Sequence, residues 1–294
     1  PSRLSRLQTI LGGAVPFHYL AIEGPIGVGK THLAERLAPK LEATTVLEDA
    51  ENPFLEDFYA DKPGSALQAQ LFYLLSRHRQ LLSLQQANLF AQTTVCDYLF
   101  DKDKIFAYLN LDDNELFIYQ RLFDLLSKDI PSPDLVVYLQ APTDELLRRL
   151  REREREDDMP DPSPQYVREV NEAYQHFFFH YSATPLLVVE TSQVKLDVSD
   201  EAVDDLAHEG AQAVGGAWGE GRRDEPAQPG VLGALGRQDR SAGAGQEPLV
   251  GDTLHSLHDA DPLMQARVSQ HGLAVVVAQY DDAEGRPGQA AGPG

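Results

Sequence analysis

Eight residues near the amino end have the types and spacing of a phosphate-binding loop. Residues 24–31 read GPIGVGKT. The glycines let the backbone approach a phosphate closely, Lys30 can reach the terminal phosphates of a nucleotide, and the Thr31 hydroxyl can ligate Mg²⁺. An apolar run at residues 17–22 precedes the loop and a helical pattern follows it, an arrangement that aims backbone N–H groups at phosphates. The predicted ligands of ATP are Gly24, Gly27, Val28, Gly29, Lys30 and Thr31, with Mg²⁺ as the accompanying ion.

Acidic side chains follow two later apolar runs. Glu48 and Asp49 come after the run at residues 44–47, and Asp97 comes after the run at residues 93–96. Carboxylates in such places can accept the proton of an attacking hydroxyl or help to position Mg²⁺. The aromatic residues Phe58 and Tyr59, a little further along, could form a wall against a flat ligand.

A glutamine and an arginine-rich run are further candidates. Gln68 lies near the start of a long helical pattern, and its amide could offer a donor and an acceptor to the edge of a base. Residues 148–158 read RRLREREREDD. Alternating charges can mark a solvated helix face, but planar guanidinium groups also suit phosphate oxygens, so this run is predicted to form a lid over transferring phosphates.

Strand-like and helix-like patterns alternate over the first two thirds of the chain. The apolar runs occupy residues 17–22, 44–47, 93–96, 135–139 and 186–189. The helical patterns occupy residues 31–41, 66–89, 114–126, 143–152 and 165–181. This order predicts an α/β fold, a doubly wound five-stranded parallel sheet with helices on both faces. Right-handed crossovers then bring the carboxyl ends of the strands, and the candidate residues, to one edge.

Charge and cysteine content limit the class of protein. The chain of 294 residues has a net charge of −21 and a single cysteine, Cys96. An acidic chain lacks the basic face of a nucleic-acid groove binder, so small molecules or proteins are the expected partners. One cysteine allows no intrachain disulfide, and no apolar run approaches the length of a membrane span, so a cytoplasmic location without membrane contact is expected.

The composition changes sharply near residue 206. All 12 Phe lie at or before Phe179, and 16 of the 22 Gly follow Leu206. We therefore expect three segments: a leader or non-native extension at residues 1–15, an enzymatic domain at residues 16–206, and a low-order tail at residues 207–294. A short ordered element is expected at residues 273–280. Out-of-frame translation of a G+C-rich gene is a second hypothesis for the tail.

Taken together, the motifs resemble the deoxynucleoside kinase family, in particular the bacterial deoxyadenosine/deoxyguanosine kinase type. The residues that carry the resemblance are the loop with its preceding Ile22-Glu23, the run at residues 51–59, Gln68 with the segment SRHR at residues 76–79, the segment DYLF at residues 97–100, and the arginine run. The resemblance extends from about residue 17 to residue 191. It implies a P-loop kinase fold with an arginine-rich lid, and transfer of a phosphoryl group from ATP to the 5′-hydroxyl of a deoxynucleoside in nucleotide salvage.

The resemblance also implies roles for individual residues. Glu48 matches the catalytic carboxylate, with Glu51 as its rival, while Lys30 and the lid arginines would stabilise the developing charge. Asp97 would help Thr31 to hold Mg²⁺. The implied lid arginines are Arg149, Arg153 and Arg155. The predicted contacts of the nucleoside are Glu48, Glu51, Phe58, Tyr59, Gln68, Asp97 and Asp158. The resemblance implies that Tyr59 binds the sugar, Gln68 the base and Asp158 the 3′-hydroxyl. A homodimer formed by two long helices is implied as well.

One position departs from the family's pattern. Many relatives carry an arginine directly after the acidic residue that ends the third strand, but this chain has Tyr98 after Asp97. The base preference is open between purine deoxynucleosides, which are favoured, and deoxycytidine. Two other functions are kept as alternatives, a nucleoside monophosphate kinase and an ATP-binding regulatory protein without nucleoside turnover.

Overall fold

The core of the fold is a parallel sheet of five strands, as the sequence predicts. The computed structural model describes residues 18–48, 51–87, 93–152, 162–192, 203–204, 206–207, 264–268 and 274–278. The parallel strands are β1 Tyr19–Glu23, β2 Thr44–Val46, β3 Thr94–Cys96, β4 Leu135–Gln140 and β5 Leu186–Glu190. They lie in the order β2-β3-β1-β4-β5, with Ala21 paired to Cys96 on one side and to Val136 on the other. The order places β1, which leads into the glycine loop, in the centre.

Two additional strands extend the sheet beyond β5. Strand β7, Ala274–Ala278, pairs antiparallel with β5, and strand β6, Met264–Val268, pairs antiparallel with β7. Strand β7 lies within the short element expected at residues 273–280. Its sequence AVVVA is rich in β-branched side chains, which favour strands. Strand β6 was not expected. Apart from Ala207, the rest of the predicted low-order tail lies outside the described residues, as does the predicted leader at residues 1–15.

Helices cover both faces of the parallel sheet. They are α1 Lys30–Lys40, α2 Leu55–Tyr59, α3 Ser65–Ala87, α4 Lys102–Asn110, α5 Asp113–Leu126, α6 Thr143–Glu152 and α7 Pro164–Phe179, with a 3₁₀ turn at Ser127–Asp129. Local sequence defines several helix starts. Asp112 and Glu115 form a reciprocal capping box at the start of α5, and the Ser163 hydroxyl accepts from the backbone N–H of Tyr166 in α7. No helix in this described part is both long and apolar enough to cross a membrane.

The sheet separates two hydrophobic cores. One contains side chains from α1 and α6, and the other contains side chains from α3, α4, α5 and α7. Val203, Leu206 and Ala207 are buried in the first core, and the neighbouring Asp204 forms an ion pair of 2.5 Å with Lys40. The folded unit therefore includes residues at and just beyond the predicted domain end at residue 206.

Candidate active site

The glycine loop connects β1 to α1 and packs closely against the rest of the fold. A Cβ atom at Gly24 would lie 2.4 Å from the carbonyl oxygen of Leu139 in β4, and one at Gly27 would lie 3.1 Å from Cγ of Leu150 in α6. Gly27 and Gly29 have φ values of 82° and 103°, which side chains rarely adopt. Helix α1 begins at Lys30, immediately after the loop. The sequence thus forms the strand, loop and helix that the motif requires.

Lys30 and Thr31 are both directed into the candidate site. Nζ of Lys30 donates to the carbonyl oxygens of Gly24 at 2.7 Å and Pro25 at 3.2 Å, so the ammonium group lies against its own loop. Burial lowers the pKa of Lys30, whereas the nearby Glu23 carboxylate opposes this effect. An ammonium group held in this place is suited to interact with phosphates at the loop.

Asp97 joins the loop to the end of β2. Its Oδ2 accepts a hydrogen bond of 2.6 Å from the hydroxyl of Thr31, and its Oδ1 accepts one of 2.6 Å from the backbone N–H of Glu48. The pair of Thr31 and Asp97 supplies two hard oxygen ligands beside the phosphate loop. Magnesium in phosphoryl-transfer sites needs only one or two protein ligands in addition to water and phosphate oxygens. The described residues therefore fit the predicted Mg²⁺ site.

The Glu48 carboxylate lies between two cationic side chains. Its Oε1 accepts from Nε of Arg77 at 2.7 Å and also from Nη2, while its Oε2 accepts from Nζ of Lys102 at 2.5 Å. The Glu48 side chain is 22% exposed, compared with 5% for Arg77 and 4% for Lys102. Burial alone would raise the pKa of Glu48, but Arg77 and Lys102 hold it well below the usual range of a carboxyl group. Glu48 is thus an ionised, partly accessible carboxylate.

A buried polar cluster adjoins the Glu48 carboxylate. Gln70 donates from Nε2 to Oδ1 of Asp103 at 3.0 Å, and Arg77 donates from Nη1 to the same oxygen. All three side chains are buried, and Oδ2 of Asp103 has no hydrogen-bond partner among the described residues. Because an unpaired buried carboxylate oxygen is unfavourable, this cluster is a candidate site for a polar group of a ligand.

The structure places a different glutamine in this cluster. The sequence analysis named Gln68, but the Gln68 side chain is exposed, whereas Gln70 is buried and bonds to Asp103. Gln70 and Arg77 are seven residues apart and lie on one face of α3. This spacing is the sequence feature that could have identified Gln70 as a site residue. Asp103 gave no comparable signal, because its partners lie 26 and 33 residues away along the chain.

Aromatic side chains surround the same region. The ring centroids of Phe58 and Tyr59 are 5.4 Å apart, and those of Phe58 and Tyr166 are 6.2 Å apart. Tyr73 stacks beneath the guanidinium group of Arg77, with Cζ 4.7 Å from the ring centroid. Phe58 and Tyr59 are half-buried, whereas Glu51 is exposed. Glu48 belongs to the network at the end of β2, and contact of Phe58, Tyr59 or Glu51 with a nucleoside stays a prediction.

The side chain of Arg149 contacts the backbone of the phosphate loop. The guanidinium group donates to the carbonyl oxygens of Val28 at 3.2 Å and Thr191 at 2.6 Å, and to Oε1 of Glu145 at 2.7 Å. All three of its nitrogens have protein partners, since Nη1 also donates to the Thr191 hydroxyl. Contact of Arg149 with ATP stays a prediction. The other predicted lid residues, Arg153, Arg155 and Asp158, lie outside the described residues.

Two further buried groups hold the site together. Glu23, which precedes the loop, accepts from the backbone N–H groups of Gly24 and Leu99, each at 2.8 Å, and from the Tyr174 hydroxyl at 3.1 Å. The Tyr98 hydroxyl donates to Gln80 at 3.0 Å. Glu23 was not named as a site residue, although an acid directly before the glycine loop was visible in the sequence.

Comparison with known proteins points to one family. The deoxynucleoside kinase family profile matches residues 20–214. The chain is 36% identical over 139 residues to the deoxyguanosine kinase of Bacillus subtilis, covering 47% of this chain and 67% of that protein. It is 36% identical over 165 residues to the deoxyadenosine kinase of Dictyostelium discoideum, covering 54% of this chain and 66% of that protein, slightly less than two thirds.

Solved structures agree with this result at the level of fold. The deoxyadenosine kinase of M. mycoides with bound dATP aligns with a TM-score of 0.53 and 23% identity, covering 65% of this chain and 97% of that one. The predicted P-loop kinase fold is thus confirmed, as is the class of phosphotransferase through the family profile. Because this profile spans most of the chain and matches the part that forms the loop and the Glu48 network, the protein belongs to the deoxynucleoside kinase family.

Proposed function

We propose that the protein transfers the γ-phosphoryl group of ATP to the 5′-hydroxyl of a deoxynucleoside, with a purine base preferred. The observation that carries the proposal is the link through Asp97, which joins the Thr31 hydroxyl at the phosphate loop to the backbone of Glu48. This link holds a phosphate-binding element and an ionised carboxylate on the same edge of the sheet. In-line phosphoryl transfer requires that arrangement.

The described side chains divide the work of the reaction. Lys30 and the backbone N–H groups of the loop hold the phosphates, and Thr31 and Asp97 would hold Mg²⁺. When bound, Mg²⁺ supplies charge that neutralises the phosphate oxygens. Glu48 orients the 5′-hydroxyl and accepts its proton as the oxygen attacks phosphorus. Arg153 and Arg155 are proposed to stabilise the transferring group, and Asp158 to bind the 3′-hydroxyl.

The buried cluster supports recognition of a base. We assign the polar contacts of the base to Gln70 and Asp103, in place of Gln68, and the flat contacts to Phe58 and Tyr59. A carboxamide and a carboxylate together provide donor and acceptor atoms for the edge of a base. The relatives in Bacillus subtilis and Dictyostelium discoideum are named for deoxyguanosine and deoxyadenosine. Another relative in Bacillus subtilis, 25% identical over 204 residues, is named for deoxyadenosine and deoxycytidine, so deoxycytidine is the alternative substrate.

An apolar face supports the proposal of a homodimer. Helix α5 exposes Phe117 by 59%, Ile118 by 50% and Leu125 by 61%, and Leu75 of the adjacent α3 is 49% exposed. By helical periodicity Phe117, Ile118 and Leu125 lie on one side of α5, and clustered large apolar side chains at a surface mark an interface more often than scattered ones do. A second copy of the chain is the proposed partner.

The direct test is release of ADP from Mg-ATP by the full chain with each of the four deoxynucleosides, and with dAMP and dTMP as comparison substrates. The proposal predicts turnover with deoxyguanosine and deoxyadenosine above that with thymidine. Turnover with the monophosphates alone would move the assignment to a nucleoside monophosphate kinase. ATP binding without turnover would favour the regulatory alternative.

A paired substitution tests which glutamate is the catalytic base that accepts the proton of the 5′-hydroxyl. Glu48→Gln is expected to lower kcat by roughly 10²- to 10⁴-fold, because it removes the proton acceptor, with a much smaller change in the nucleoside KM. Glu51→Gln is the matched control, since Glu51 is an exposed glutamate three residues away. Loss of kcat in Glu51→Gln with full activity in Glu48→Gln would reverse the assignment.

A further inference from the structure

Lys102 is a buried cation whose position needs an explanation. It is the first residue of α4, and its side chain is 4% exposed. A cation at the N-terminus of a helix meets the positive end of the helix dipole, and burial of an ammonium group is costly unless the group is paired. The observed partner is Oε2 of Glu48, at 2.5 Å. Local helix chemistry therefore does not favour a lysine here, whereas the Glu48 carboxylate does.

Lys102 balances the charge of the buried cluster. Arg77 donates to Glu48 through Nε and Nη2 and to Asp103 through Nη1, so a single cation is shared between two carboxylates. Lys102 makes the cluster neutral. Its ammonium group is also close enough to Lys30 to contribute to the lowered pKa of that residue, after the larger effect of burial. Lys102 thus contacts the Glu48 carboxylate and lies near Lys30 of the phosphate loop.

The hydrogen bonds of Glu48 show which oxygen can act. An ionised carboxylate has about four acceptor positions, two on each oxygen. Arg77 directs two donors to Oε1, whereas Lys102 directs one donor to Oε2. Oε2 is therefore the oxygen with more acceptor capacity left for a substrate hydroxyl. Because Lys102 is the hydrogen-bond partner of Oε2, its ammonium group holds that oxygen in place.

We propose that Lys102 is a positioning residue for phosphoryl transfer, which orients Oε2 of Glu48 toward the 5′-hydroxyl of the nucleoside. This inference rests on the proposed function of Glu48. In the step, the 5′-oxygen forms a bond to the γ-phosphorus while the bond from that phosphorus to the oxygen bridging to the β-phosphate breaks. The hydroxyl proton passes to Oε2 of Glu48, and ADP leaves with the bonding electron pair. Lys102 retains its own proton throughout.

The test replaces Lys102 with methionine, which has similar length but no charge and no donor. Lys102→Met is expected to lower kcat about 10- to 100-fold, because the reacting oxygen is misplaced, with less than about threefold change in either KM. Lys102→Arg is expected to recover most of the loss, since it restores a cationic donor. Lys104→Met is the matched control: Lys104 lies on the same helix, but it pairs with Asp101 at 2.6 Å.

A double-variant cycle separates this inference from the proposed function. If Lys102 acts through Glu48, the variant carrying Glu48→Gln and Lys102→Met is expected to be no slower than Glu48→Gln alone. Multiplying effects, or equal losses in Lys102→Met and Lys104→Met, would overturn the inference. A fully active Glu48→Gln variant would instead contradict the proposed role of Glu48 as the catalytic base. Should Lys102→Met fail to fold, as judged by its thermal unfolding, Lys102→Gln gives the same kcat comparison, and an undiminished kcat there would overturn the inference.

Discussion

At the scale of single residues, the site combines predictable and unpredictable contributions. Lys30, Thr31, Glu48 and Asp97 could be predicted, because each lies in a local motif or directly after a strand whose end faces the same edge of the sheet. The roles of Gln70, Lys102 and Asp103 could not be predicted. Their significance arises from contacts across 26 to 54 residues of sequence, and no spacing rule specifies such contacts.

The glutamine assignment can be decided by two matched variants. Gln70→Leu is expected to lower kcat/KM for the preferred deoxynucleoside by about 10- to 100-fold, because the base and Asp103 would each lose a buried hydrogen-bond partner. Gln68→Leu is expected to change this value by less than about twofold, since its side chain is exposed. Steady-state kinetics of both variants provide the comparison. A larger loss in Gln68→Leu would restore the assignment made from the sequence.

At the scale of elements, Arg149 connects three parts of the fold. It joins α6 to the loop carbonyl at Val28 and to Thr191, directly after β5. The neighbouring Arg148 bonds to Glu145 and Glu152 on its own helix and is 50% exposed. Hydrogen bonds from Arg148, and then from Arg149, lower the pKa of Glu145 to about 2. The two adjacent arginines thus share Glu145, but Arg149 also bonds to the loop and to Thr191, whereas Arg148 also bonds to Glu152 of its own helix.

This difference predicts unequal effects of the same substitution. Arg149→Met is expected to raise the KM for ATP several-fold and to destabilise the protein by roughly 1–3 kcal/mol, because it leaves carbonyl groups of the loop and of residue 191 without a donor. Arg148→Met is expected to cost much less stability than Arg149→Met, because solvent screens an exposed ion pair. Denaturant unfolding and ATP titration measure the two effects. Equal destabilisation by both variants would contradict the proposed connection.

The elements themselves were largely predictable from periodicity. The central strands β1, β4 and β5 are uninterrupted apolar runs, and each is almost fully buried, so their composition alone indicates a two-sided parallel sheet. Strand β6 is different. It reads MQARV, a sequence without a distinct strand pattern, and it forms a strand only by pairing with β7. Long-range pairing of this kind is not encoded in a local window of sequence.

At the scale of the whole molecule, the exposed face of α5 predicts the state of assembly. Replacing Phe117 and Leu125 together by Asp is expected to convert the proposed dimer to a monomer, because charges would be buried in an apolar interface. Replacing Phe179 by Asp is the control, since it also removes a large exposed side chain, 46% exposed, but from α7. Sedimentation velocity distinguishes the two outcomes. A wild-type chain that sediments as a monomer at micromolar concentration would contradict the proposal.

The order of strands also affects whether the folded protein can aggregate through the edges of its sheet. Among the residues that the structure describes, the two outer strands of the sheet are β2, with three residues, and β6, with five. The longest of the described strands, β4, lies in the interior of the sheet, with both sides paired. An outer strand of three residues such as β2 offers few free backbone groups for edge-to-edge pairing, the contact from which fibrous aggregates grow. The proposed self-association through α5 would instead use side chains of the helices, which can make the contact specific.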